Sequence, residues 1–328
     1  MRKGKRISRI MQDTLQNQLL LVIFIIYFIV VAFVKPTFVS ADNMKSVLVD
    51  ASIYGMSALA MTIAIICGEF DLSLSSNFAW AQIFLCYLLN VWGSNTLGVV
   101  CAILTMLLSC MAIGAVNGLI VVKCKISAFI TTLGMMTIVK GICLVFTDGE
   151  MISTSNTVVK SIGKGTLLGI PYLVLMFVIM ILAAYYVMHY TRFGRGLYAT
   201  GGNYEAASLT GIPVKFNKFI IFVILGMAAG ISGFMFVCLM RAGSVLYGTD
   251  LSLTCVAATV VGGTPLCGGK GSVLKTVFGI LVIYVLYKSL SFLGVQGYYT
   301  NLIKGLVLLS VVSMDAYMSE RRKERARA

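Results

Sequence analysis

The residues of this chain with the most chemistry to offer sit in one short interruption, Gly68-Glu69-Phe70-Asp71-Leu72-Ser73-Leu74-Ser75, between two apolar runs. Two carboxylates at the end of a run such as 47–67 are costly to keep near hydrocarbon, and residues of that kind face a cavity or a pathway. Glu69 and Asp71, the hydroxyls of Ser73 and Ser75, the amide of Asn77 and the rings of Phe70 and Trp80 supply hydrogen-bonding and stacking groups for a small polar solute in one stretch. Carboxylates and amides bond to hydroxyls, and aromatic faces cover C–H surface. A structural reading competes at Asp71. Asp-Leu-Ser-Leu-Ser directly precedes a new apolar run, so Asp71 is also placed to cap a helix through its amides.

Other chemistries find no support. The cysteines, nine in all, lie scattered with no Cys-x-x-Cys spacing and read as small buried hydrophobes. His189, the only histidine, stands at an expected membrane edge with no partner to orient it. The stretch from Gly263 to Gly271 fails as a phosphate-binding loop, because Thr264 stands at the first glycine position and Gly271 replaces the hydroxyl residue. It reads instead as a tight connection between two spans.

The elements that must position these residues are membrane helices. Hydrophobic residues make up 59% and charged residues 12% of the 328 residues, and mean hydropathy is +0.95. Soluble proteins carry about 25% charged residues, so the composition excludes an ordinary globular domain. Apolar runs are expected to span at 18–34, 47–67, 76–92, 96–122, 127–146, 166–188, 218–240, 250–262, 273–293 and 298–314. The expected fold is an all-α polytopic membrane protein of about ten transmembrane helices. The third and eighth runs are short and flanked by polar or Gly-rich turns, as broken or re-entrant helices are. Val39-Ser40-Ala41 faintly resembles a signal-peptidase site, but the run before it exceeds the usual h-region and reads as a retained helix.

With both termini cytoplasmic, most of the 26 basic residues fall on the inner side, while Lys140, Arg241, Lys288 and Lys304 lie in or beside spans. This bias accounts for the net charge of +14 without nucleic acid, since no aromatic-interleaved basic patch accompanies it. In the inner loop from His189 to Lys218, Glu205-Ala206-Ala207 followed by Gly211 reads as a short helix with a glycine cap. On the residues alone it is equally a solvated connection or a docking element. Gly226-Met227-Ala228-Ala229-Gly230, with Gly233 after it, permits close helix contact.

Four segments carry a resemblance. Gly68–Ser75 is similar to a G-G-I-D-L-S-x-G-S pattern. Ser127–Met136 with Lys140-Gly141 resembles a P/A-F-I-x-T-L-G-M run and its basic-Gly pair. Phe193–Gly211 is similar to G-R-x-x-x-A-x-G-x-N-x-x-A-A-x-x-x-G-I, and Val256–Gly271 to A-A-V-x-x-G-G-T-x-x-x-G-G-x-G. Together they resemble the permease subunit of ATP-binding-cassette importers of the ribose, xylose, galactose and autoinducer-2 type.

The resemblance implies a single permease domain over 18–314 with a coupling loop at about 189–218, flanked by a cytoplasmic segment 1–17 and a basic tail 315–328. It implies no cofactor in this chain and no enzymatic activity of its own, with ATP and Mg bound by cytoplasmic ATPase partners. An extracytoplasmic solute-binding protein, membrane lipid and a second permease, identical or paralogous, complete the expected partners in a bacterial inner membrane. Glu205, Ala206, Ala207 and Gly211 become the expected ATPase contact. Where relatives carry G-G-I-D this chain has Gly68-Glu69-Phe70-Asp71, and where they carry E-L-D it has Ser252-Leu253-Thr254. Those departures suit either a heterodimer with a permease that retains the acids or a homodimer with altered ligand preference. A channel or secondary transporter is the rival class, and no internal repeat supports it.

Overall fold

The computed structural model describes residues 24–307, 309, 310 and 313. The expected segments 1–17 and 315–328, and the start of the first expected span, lie outside the described residues. The described chain is helical nearly throughout. Its first helix, α1 (Phe24–Val34), leads through a 3-10 turn at Pro36–Val39 into α2 (Ala41–Ile66), α3 (Leu74–Trp92), α4 (Thr96–Lys123) and α5 (Ala128–Thr147). A short α6 (Thr157–Lys164) precedes α7 (Tyr172–Tyr190), α8 (Arg192–Gly202) and α9 (Tyr204–Leu209). Then come α10 (Val214–Met240), α11 (Leu251–Val261), α12 (Val273–Phe292) and a last helical stretch from residue 297.

Six of these, α2, α4, α5, α7, α10 and α12, are long and apolar enough to cross a membrane. Every expected span meets a helix, with two instructive differences. The expected span 166–188 begins only at Tyr172, because 166–171 forms a hairpin in which β2 (Thr166–Leu167) pairs with β3 (Ile170–Pro171). The expected eighth span is the 11-residue α11, whose rise of about 16 Å covers half of a ~30 Å hydrocarbon core.

Local chemistry sets the helix ends. Asn95 caps α4 by accepting from the Gly98 amide at 2.7 Å, and Thr191 caps α8 through Gly194 at 3.1 Å. Asn203 caps α9 through Ala206 at 3.0 Å. Each supplies the side-chain oxygen that an open first turn lacks. On one end of the bundle, β1 (Ile152–Ser153) pairs antiparallel with β4 (Ala242–Gly243), tying the loop after α5 to the end of α10.

The core is built on α2 and α10, the most buried of the long helices. The small-residue run on α10 makes that possible. A Cβ on Gly226 would fall 2.3 Å from the Cys110 carbonyl oxygen, and one on Gly233 would fall 2.5 Å from Ala81 Cβ. Backbones therefore meet where apolar area alone offers no preference for protein over lipid. Polar contacts add to it. Buried Thr62 of α2 lies 2.9 Å from Thr259 of α11 and 2.7 Å from Thr276 of α12, hydroxyl to hydroxyl.

Overpacking this contact has a definite consequence. Gly226→Leu is expected to lower unfolding stability in detergent by about 1–3 kcal/mol. Gly134→Ala, inside α5 where nothing lies within 4 Å, is expected not to destabilise and to raise stability by up to about 1 kcal/mol.

Candidate functional site

At the end of the bundle opposite the β1–β4 pair, three glycine-bearing segments converge. The Gly269 amide donates to the Ile66 carbonyl at 2.9 Å, meeting one of the carbonyls that the last turn of α2 leaves open. Gly201, near the end of α8, lies over the same carbonyl, and a Cβ there would fall 1.9 Å from the Ile66 oxygen and 2.8 Å from the Gly269 nitrogen. Gly68 and Gly268 are in contact beside it. The Gly-rich sequence at 263–271 is thus more than a turn. It brings its backbone against α2 and α8 together. Tyr198 of α8 secures the same loop by donating to the Gly271 carbonyl at 3.0 Å, and burial raises the pKa of its hydroxyl.

From this junction α9 projects outward. Ala207 is buried against the body, whereas Glu205, Ala206 and Gly211 are exposed. Gly211 lies in the left-handed region at φ 80° and turns the chain into α10. Leu209 is 90% exposed, an apolar side chain on the rim of a helix bounded by polar residues. Sequence reading missed Leu209. Its signal was present, because Leu209 is the one aliphatic side chain larger than alanine between Gly201 and Thr210.

The acidic interruption is the linker between α2 and α3, and its side chains divide among separate environments. Glu69, 6% exposed, pairs with Lys218 at the start of α10. The Lys218 ammonium also sits 5.1 Å from the centroid of the Tyr204 ring on α9. Phe70 packs against Phe129, with ring centroids 6.2 Å apart. Glu69, Phe70, Lys125, Tyr204, Lys215 and Lys218 share the wall of a cavity of about 520 Å³.

Asp71 turns inward. Its Oδ1 accepts from the Ser73 amide at 2.7 Å and from the Ser73 hydroxyl at 2.6 Å. Asn117 of α4 donates to the Ser73 hydroxyl at 2.8 Å and reaches Asp71 Oδ2 at 3.4 Å. Asn77 donates to the Cys110 carbonyl at 3.1 Å, about 20 Å of helical rise from the Lys123 end of α4. α3 therefore begins well inside the bundle. The Ser75 amide donates to the Ser252 hydroxyl at 2.9 Å, and Ser252 donates to the Leu72 carbonyl at 2.8 Å. The first turns of α3 and α11 are joined there, so the hydroxyl at 252 satisfies backbone that a carboxylate could not serve as a donor.

Trp80 stands apart. It stacks on Phe84 at 4.8 Å and donates to the Ser109 hydroxyl at 3.0 Å. The seven expected pathway residues are thus not one surface. Glu69 and Phe70 line one cavity, Ser75 lines another, and Asp71, Ser73, Asn77 and Trp80 are engaged within the protein. Asn117, wholly buried, was not foreseen, although a lone amide in an apolar 28-residue helix is a signal in itself.

The family model described as branched-chain amino acid transport system / permease component matches residues 43–312. The chain belongs to this permease family. It is 35% identical over 305 residues to the ribose import permease protein RbsC of Escherichia coli (strain K12), covering 92% of this chain and 94% of that one. The L-arabinose transport system permease protein AraH of the same strain is 32% identical over 304 residues, with 93% and 92% covered. RbsC of Bacillus subtilis (strain 168) is 33% identical over 291 residues, covering 88% of each. No solved structure matches this permease.

The inward bonding of Asp71 gives the permease a testable signature. Asp71→Ala leaves the buried Ser73 amide without its acceptor and is expected to cost about 1–3 kcal/mol of stability. Asp71→Asn keeps an oxygen in place and is expected to lose clearly less in the same unfolding measurement.

Proposed function

We propose that this chain is the membrane-spanning subunit of an ATP-driven importer that carries a monosaccharide or related small polar solute across the bacterial cytoplasmic membrane. The names of its ribose and L-arabinose relatives support the solute class. The proposed topology has ten crossings with both termini in the cytoplasm, α3 and α11 being the irregular ones. A single permease domain over 18–314 then lies between a short N-terminal segment and the basic tail. Hydrolysis belongs to cytoplasmic ATPase subunits that bind ATP and Mg, and an extracytoplasmic protein delivers the solute. A second permease, identical or paralogous, faces this one.

The observation that carries the reading is the form of α9. A six-residue helix is too short to persist alone in water, yet it is capped by Asn203 and anchored by Ala207 and the glycine junction. Glu205 and Leu209 are left pointing away from the protein, a charge beside an apolar tip that suits a groove in a partner. Pressure on α9 reaches α2 and α10 directly, through Gly201 and through Tyr204, Lys218 and Glu69. ATP-driven closure of the partner would by this route favour one arrangement of the helices over another. Gly211 hinges α9 to α10, and Ala206 keeps its outer face slim.

Reconstituted in lipid with its ATPase and solute-binding partners, the native permease is expected to show solute-stimulated ATP hydrolysis. Glu205→Arg is expected to abolish the stimulation. Solute flux through this chain alone, with no stimulation of hydrolysis, would instead establish a channel or secondary carrier.

A further inference from the structure

Four basic residues, Lys140, Arg241, Lys288 and Lys304, lie in or beside the spans, and two of them have acidic partners. Lys288 pairs with Asp50 of α2 at 2.6 Å, and Lys304 with Asp250 at 3.0 Å. Arg241 closes the C-terminus of α10, where its backbone adopts φ 58°. Lys140 has no acidic partner among the described residues, and it is exposed. It stands seven residues before the end of α5, about 10 Å of helical rise inside that end. A charged side chain left unpaired inside a span faces a polar cavity, not hydrocarbon.

Such a cavity is present. A space of about 280 Å³ lies between the first turn of α3, the face of α5 and the loop before α11, lined by Ser75, Ser76, Thr137, Lys140, Val245 and Thr249. The hydrogen-bond roles of its wall are already divided. Ser75 donates to the Leu72 carbonyl at 3.3 Å, Ser76 to the Ser73 carbonyl at 2.9 Å and Thr137 to the Leu133 carbonyl at 3.2 Å. Their hydroxyl protons are engaged within the helices, so toward the cavity these oxygens are acceptors. The Lys140 ammonium offers donors and no acceptor. An anion would meet three acceptor oxygens and a cation would meet the ammonium. A neutral polyhydroxylated molecule satisfies both, because each hydroxyl donates and accepts.

We propose that this cavity is a solute-contact site of the translocation path, with Lys140 donating to, and Ser75, Ser76 and Thr137 accepting from, the hydroxyls of a neutral polyol such as a monosaccharide. This rests on the importer reading and assigns a place in the chain to its solute. Of the acidic interruption Gly68–Ser75 itself, the site uses only Ser75.

Two measurements on the full complex in liposomes test it. The first is independent of solute identity. In a background carrying Cys101→Ser, Cys124→Ser and Cys267→Ser, the three exposed native thiols removed, Lys140→Cys and Thr137→Cys are labelled with an anionic, bilayer-impermeant methanethiosulfonate. Leu182→Cys on the exposed face of α7 is the control. Labelling at 140 and 137 is expected to exceed the control by about tenfold or more, since only a hydrated thiol ionises readily. The second is uptake of D-ribose and L-arabinose. Lys140→Met is expected to lower it about tenfold, the loss of one charge-assisted hydrogen bond, with Lys140→Arg close to native. Labelling at the control rate overturns the site, as does native uptake by Lys140→Met. A native complex that accumulates neither sugar counts against the importer reading, and the labelling then still decides whether the cavity is a water-lined path.

Discussion

The structure depends on a meeting of backbones at the end of α2. A helix that terminates within a membrane protein leaves carbonyls that hydrocarbon cannot satisfy, and the Ile66 carbonyl is met by the Gly269 amide under the cover of Gly201. No side chain fits between these segments. The contact therefore fixes the end of α8, the loop after α11 and the start of the acidic linker relative to one another. Everything proposed for α9 follows from that fixation, because a short exposed helix transmits force only if its base is held.

A second constraint lies further along the same linker. The chain must rise from Ile66 to Leu74 before it becomes helical again, and its polar groups are satisfied by particular side chains. Asp71 takes the Ser73 amide and hydroxyl, Ser252 bridges Leu72 and Ser75, and Thr132 accepts from the Leu72 amide at 3.1 Å. Ion pairing of Glu69 with Lys218 and the position of that ammonium over Tyr204 connect the linker to α9 and α10. The acidic segment thus has its inner half, around Asp71 and Ser73, bonded within the protein, while Glu69 and Phe70 turn to an adjoining cavity.

Much of this was legible in the sequence because the bilayer simplifies the problem. Length and hydropathy located a helix for each expected run, polar flanks marked α3 and α11 as irregular, and Glu205-Ala206-Ala207 with Gly211 marked α9. The small-residue spacing from Gly226 to Gly233 announced the contacts of α10 with α4 and α3. What could not be read were pairings distant in sequence. Nothing in Gly68-Glu69-Phe70 indicates Lys218, and the glycine loop at 263–271 reads as a turn until the Ile66 carbonyl is seen between Gly201 and Gly269. Lys140 was visible as a basic residue in a span, but its lack of an acidic partner emerges only once Asp50 and Asp250 are found to be taken by Lys288 and Lys304.

The central claim is that the glycine junction couples α9 to α2. The most direct test is solute-stimulated ATP hydrolysis by complexes carrying Gly201→Ala or Gly202→Ala, each isolated in assembled form by size exclusion before assay. A Cβ at 201 drives into the Ile66 carbonyl, whereas one at 202 comes no nearer than 4.0 Å to its closest neighbour. The account predicts that stimulation is lost for Gly201→Ala and kept for Gly202→Ala. An assembled Gly201→Ala complex stimulated as strongly as the native one would contradict it.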